Sequence, residues 1–319
     1  MNQLDALSSL AIGGDQEAVC YLCLDGGGVE AGQPLRRDCA CRGSDAGFVH
    51  LSCFAEYAAA KSKQAHGMNL DMNEFSKPWR VCPGCHQEYQ NELAVDIATE
   101  FVSFVRRQYP RDTERQLVSL YLKLNAFDSM FDRLQPRQMR EFGVTADVLL
   151  SLIDRMKGDT LSLPIRYSQM EAKAHNVHGC IALKEGTDES ARRAVVHFVN
   201  ELEASKVVGN AGNVAAAKSN IANAKALYEG GNIEELLKNS KELYDLRVAK
   251  YGEEDEYTII AGKNHALRLQ KVDRGDEARE LLTKLLATSK RVLGPNHNAT
   301  KKVESELKQV VEVKNNNSI

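Results

Sequence analysis

No apolar run in this sequence approaches the ~20 residues that a bilayer-spanning helix needs. The longest candidates, such as Val148-Leu149-Leu150, are broken within a turn, so no transmembrane helix is expected. An excess of charge of one sign is also missing. The 41 basic and 44 acidic residues leave a net charge of -3, too little for a global field that would draw the chain to nucleic acid or to an anionic membrane. The first 19 residues hold no Lys or Arg and no sustained apolar stretch; this matches neither a secretory signal nor a transit peptide and implies a cytoplasmic or nuclear address. No catalytic triad or paired-carboxylate pattern stands out. Gly26-Gly27-Gly28 is followed by no helical pattern and reads as a turn rather than a phosphate cradle.

What the sequence does have is a concentration of cysteine. Seven of the eight cysteines fall between Cys20 and Cys85, and the order Cys20-x2-Cys23, Cys39-x-Cys41, His50-x2-Cys53, Cys82-x2-Cys85 gives eight soft ligands in four close pairs. A two-residue spacer places both side chains of a pair on one tetrahedral zinc with little strain. In a reducing interior such thiols stay free for metal, so a disulfide framework is the weaker reading. Eight ligands make two closed four-ligand sites and call for two structural Zn2+ ions. The eighth cysteine, Cys180, lies in the apolar context Val177-His178-Gly179-Cys180-Ile181-Ala182-Leu183 with no neighbouring cation and reads as a buried structural thiol. His66 is expected in a polar loop, and His175, His178, His197, His265 and His297 lie among helical residues as surface or packing groups.

The ligand order of four cysteines, one histidine and three cysteines, with Cys39-x-Cys41 and eight residues between Cys41 and His50, resembles the RING-CH (RINGv) family of ubiquitin ligases. The resemblance implies an interleaved cross-brace, with Cys20, Cys23, His50 and Cys53 on zinc 1 and Cys39, Cys41, Cys82 and Cys85 on zinc 2. It also implies a shallow groove for a ubiquitin-conjugating enzyme at Leu22 inside the first knuckle, Trp79 before the last and Pro83 within it, with His86 where active members carry a basic residue. The same ligand order occurs in PHD fingers, which read histone tails, but the spacing of Trp79 and His50 fits that family less well.

Beyond Leu93 the pattern turns helical, punctuated by Pro110, Pro136 and Pro164. Ile97, Phe101, Phe104 and Val105 form one apolar stripe, and Leu117, Leu120, Tyr121 and Leu124 another, each at three- and four-residue spacing. The last part of the chain repeats itself at an offset of 42: Leu236, Leu243, Tyr251-Gly252 and Thr258 recur as Ala278, Leu285, Leu293-Gly294 and Thr300, and Ala194 lies 42 before Leu236. Self-similarity of this length signals stacked helical hairpins, since one hairpin cannot bury its apolar face alone. From about Tyr167 to Val313 the chain resembles tetratricopeptide repeats of the kinesin-light-chain type. The resemblance rests on Ala194, Leu236 and Ala278, on the tract from Lys290 to His297, and on Gly230-Gly231 and Gly275 at the hairpin turns.

The expected fold is therefore mainly α. A disordered tail (1–19), a RING-CH-like zinc module (20–90), a helical connector (91–166) and a helical-hairpin solenoid (167–314) are followed by a disordered end (315–319). The expected function is that of a RING-type ubiquitin ligase without a covalent catalytic residue. The conjugating enzyme and the protein substrate would be its partners, with neither nucleic acid nor membrane. The alternatives are a non-enzymatic zinc and repeat scaffold or a histone-tail reader.

Overall fold

The structure, a computed structural model, describes residues 19–24, 34–39, 41, 47–159, 165–228 and 232–316. Gly26-Gly27-Gly28, Pro164, Gly230-Gly231 and the tails at 1–18 and 317–319 lie outside them. The described residues form twelve α-helices: α1 (Leu51–Gly67), α2 (Met72–Ser76), α3 (Asn91–Gln108), α4 (Thr113–Met130), α5 (Pro136–Asp159), α6 (Ile165–Glu185), α7 (Asp188–Val208), α8 (Ala211–Tyr228), α9 (Ile233–Tyr251), α10 (Glu256–Lys271), α11 (Gly275–Val292) and α12 (Asn298–Asn316). Short 3-10 turns follow α2 and α4, and the described residues include isolated β-bridges of Arg36 with Val49 and of Val81 with Glu88. Among the described residues no helix is long and apolar enough to cross a membrane. The chain divides into two compact units, Met1–Phe101 and Val102–Ile319, so the division falls inside α3.

The first unit is organised by more than its cysteines. On α1, Phe54, Ala58, Ser62 and Ala65 are buried along one stripe whose spacing follows the helical period. Phe75 and Trp79 meet this stripe at Ser62, Phe101 lies against both of their rings, and Phe75, Trp79, Leu93, Ile97 and Phe101 are all at most 3% exposed. The helix runs through His66, which is therefore not in a loop. The module thus has a small apolar interior of its own beside the cysteine sets. Aromatic residues distant in sequence close a small interior that the local pattern of Gly and Cys does not advertise.

In the second unit each helix from α4 onward packs on its neighbours, and from α6 to α12 the order is that of antiparallel hairpins stacked in sequence. The 42-residue offset has a physical counterpart. Ala194, Leu236 and Ala278 are buried at equivalent places on α7, α9 and α11, and Thr258 and Thr300 are fully buried on α10 and α12. The chain reverses after these first helices through Gly209, Gly252 and Gly294, all with positive φ (71, 84 and 93°), a conformation glycine adopts at little cost. Starts are capped in the expected chemistry: Thr187 and Ser190 form a capping box on α7, and the side chains of Asn210, Asn232 and Asp255 accept backbone N–H groups on α8, α9 and α10. Between α10 and α11 the left-handed residue is Asp273 (φ 57°), while Gly275 already lies in the helix.

Candidate metal centre

The two terminal knuckles share one backbone geometry. Leu24 N–H donates to Cys20 O at 2.8 Å and His86 N–H to Cys82 O at 2.9 Å, and both closing residues are left-handed, with φ 63° and 58°. Each turn thereby directs two thiols to one side. The His50-x2-Cys53 pair is set by a helix start, since His50 is the extended N-cap of α1. The backbone of Arg36 pairs with that of Val49 in both directions, at 2.8 and 2.9 Å, which brings the Cys39-x-Cys41 segment beside the same strand-like stretch.

The donor atoms collect in two sets, Cys20, Cys23, His50 and Cys53, and Cys39, Cys41, Cys82 and Cys85; within each, all four atoms lie within 4.8 Å of one another. The grouping is interleaved along the chain. His50 Nδ1 lies 3.4 Å from Cys23 Sγ and 3.7 Å from Cys53 Sγ, and Cys41 Sγ lies 3.6 Å from Cys82 Sγ. A tetrahedral zinc with bonds of about 2.3 Å to sulfur and about 2.0 Å to nitrogen requires donor separations of roughly 3.5–3.8 Å. The residues fit the ion: either set can hold one zinc, and four protein donors leave no position for water or substrate.

The thiols of the second set perturb one another. The hydrogen bond between Cys39 and Cys82 pushes the Cys39 thiol far up, with burial adding to it, and the same bond draws Cys82 down to about 4. The approach is close enough to dictate a glycine: a Cβ on Gly47, whose φ is +83°, would sit 2.8 Å from Cys39 Sγ and 3.1 Å from Cys41 Cβ.

Two supporting residues escaped the sequence reading. Asp38, immediately before Cys39, receives the side-chain amide of Asn91 on one oxygen and the Leu93 N–H on the other, both at 3.4 Å, while its carbonyl receives Gln90 N–H at 2.9 Å. It ties the second pair to the start of α3, and an acid next to a ligand was the available signal. Ser62, in mid-α1, accepts the Trp79 indole N–H at 2.8 Å and donates to Phe75 O at 2.6 Å.

The three groove residues have different fates. Leu22 is half-buried and Pro83 is exposed, each within a knuckle turn. Trp79 is 3% exposed, stacked on Phe101 with ring centroids 5.1 Å apart. Its ring therefore faces the interior and not a surface groove, because α3 returns over it and Ser62 satisfies its one polar atom. His86 is exposed. Cys180, expected to be buried, is only partly so; it packs beside Ala182, Ala194 and Phe198, and desolvation pushes its thiol up to about 12.

No family profile matches the chain, and no curated protein matches it. Among solved structures the chain is similar to a Podospora anserina protein described as a kinesin light chain with nearly identical TPR-like repeats, at 13% identity and a TM-score of 0.39, over 76% of this chain and 95% of that one.

Proposed function

We propose that the first unit is a RING-CH-type zinc module that docks a charged ubiquitin-conjugating enzyme, and that the helical hairpins hold the protein to be modified. The observation that carries the reading is the interleaving of the two four-donor sets, the ligand order of the cross-brace modules that this sequence resembles. Zinc, when bound, supplies shape and no acid–base or redox chemistry, since its coordination is closed. The remaining work falls to the surface. Leu22 and Pro83, at the tips of knuckles belonging to different sets, offer apolar contact to the conjugating enzyme, and Trp79 stiffens the last knuckle from inside. No residue attacks the thioester; rate is gained by holding carrier and target lysine together.

The test is autoubiquitination by the intact zinc-loaded protein over a panel of conjugating enzymes. Transfer should fall by more than about tenfold in Leu22→Ala/Pro83→Ala, the loss of about 1.4 kcal/mol of docking, and vanish in Cys39→Ser. A basic group after the last ligand, introduced as His86→Arg, should raise it. The burial of Trp79 favours a second reading, a non-enzymatic scaffold, because the aromatic that would anchor the groove is withdrawn from it. Absence of transfer with every enzyme, from protein carrying two zinc ions, would select the scaffold.

A further inference from the structure

Within the hairpin unit a cleft of about 750 Å³ opens between α4 and the helices α6 to α10. Glu201 of α7 lines it but is only 7% exposed. Its oxygens are held by neutral groups from the two flanking helices: Asn176 Nδ2 donates to Oε1 at 3.1 Å and Asn220 Nδ2 to Oε2 at 3.4 Å. No cation pairs with it among the described residues. The ammonium of Lys173, which also lines the cleft, is taken by Asp128 at 2.6 Å. A carboxylate has about four acceptor sites, so two amides leave part of this one unused, and burying an ion without a counter-ion is costly.

We infer that Glu201 seats the basic side chain, arginine or lysine, of a polypeptide segment held in this cleft. The inference rests on the proposed capture of protein by the hairpins and names what is captured. Charge is distributed along the cleft so as to fix where the basic group goes. On the α9 and α10 side the cleft is lined by Asp255 and by two cations, Arg268, which donates to Asn223 Oδ1 at 2.8 Å, and Arg247, which lies over the Tyr257 ring, neither with a carboxylate partner among the described residues. Two cations and one carboxylate on that side, against Asp128, Glu201 and one ammonium, Lys173, on the other, direct a basic group to Glu201. The cleft also carries amides able to serve an extended backbone, since Asn125 and Asn213 line it with side chains that have no hydrogen-bond partner among the described residues. An amide offers both a donor and an acceptor, as a peptide unit requires. Burial holds the Glu201 carboxyl up at about 7, with the amides and Lys173 working against the rise and Asp128 adding to it. A carboxyl with that value is about half protonated at neutral pH, so a cation that pairs with it releases the proton of that fraction.

The experiment is a positional scan of a random heptapeptide library on the full-length zinc-loaded protein, followed by fluorescence polarisation with individual binders. Peptides that bind should share one Arg or Lys, and its replacement by citrulline or norleucine should weaken binding about tenfold or more, the scale of a charged hydrogen-bonded pair. Glu201→Gln should cost a similar factor, with the double change costing little beyond either single one. Because that variant alters a buried group, calorimetry of the unaltered protein in phosphate and in Tris at pH 7 gives a second readout. The two apparent enthalpies should differ as proton release requires. Binders with no basic preference, or enthalpies independent of buffer, overturn the inference and leave capture standing. A library with no binders overturns both.

Discussion

Ser62 is a hydroxyl fully buried among aromatic rings, and both of its hydrogen-bonding roles are used, as acceptor for Trp79 and donor to Phe75. Removing one partner from such a pair leaves the other desolvated and unmade, at about 1–3 kcal/mol. Ser62→Ala should therefore lower the stability of the first unit by that amount while two zinc ions still bind, as denaturant titration and elemental analysis would check. The same arithmetic of space applies at Gly179 on α6, where a Cβ would come within 2.4–2.7 Å of the Phe198 ring. Phe198 is fully buried and has nowhere to retreat, so Gly179→Ala should destabilise the hairpin unit by about 1–3 kcal/mol, the usual range for overpacking, read from its urea midpoint.

At the scale of elements, α5, α6 and α7 meet over a histidine cluster. His175 and His197 face one another with Nδ1 atoms 3.3 Å apart, and His178 stacks on His197 at 4.9 Å. The surrounding charges are Lys157, Asp154 and Asp147 from α5 and Arg193 from α7. Burial and the neighbouring imidazoles hold His175 down at about 4, and burial lowers His197 as well. A histidine depressed in the folded state is neutral there while the unfolded chain takes up its proton. This contribution is thus flat above about pH 6.5 and is lost as pH falls from there toward 4. Glu201 has the opposite sign: with its carboxyl raised to about 7, folding loses stability as pH rises from the unfolded value near 4.5. The urea midpoint of the hairpin unit should therefore drop between pH 6.5 and 5 less in His175→Gln than in the unaltered protein, and should rise less on acidification from pH 7.5 to 6.5 in Glu201→Gln. These elements also mark what the sequence discloses. Ligand pairs are legible because their chemistry is complete within a few residues, as at Cys82-x2-Cys85, whereas the turn expected at Gly275 is made by Asp273 and Gly275 itself begins α11. The orientation of Trp79 is not, because Phe101 decides it from 22 residues away. Nor is Glu201, which becomes a site only when α6 and α8 bring Asn176 and Asn220 to it.

For the whole molecule, the two units depend on different forces. All eight candidate ligands lie in the unit ending at Phe101, and α4 to α12 lie beyond it. Binding of a structural zinc is worth about 10–16 kcal/mol in small modules, as large as the entire stability of a typical domain. The aromatic interior around Phe54, Phe75 and Phe101 cannot replace two such ions. Chelation should then unfold the first unit and spare the second. Trp79 is the only tryptophan in the chain and is buried in the first unit, so its emission reports on that unit alone, whereas far-ultraviolet circular dichroism is dominated by the helices of the second. Adding a strong chelator at pH 7 should shift the tryptophan emission to that of an exposed indole and leave most of the helical signal, with its thermal midpoint, unchanged. A parallel loss of both signals would mean that the hairpins need the metal-held unit to fold. An unshifted emission from metal-free protein would mean that the aromatic interior, and not zinc, holds the knuckles in place.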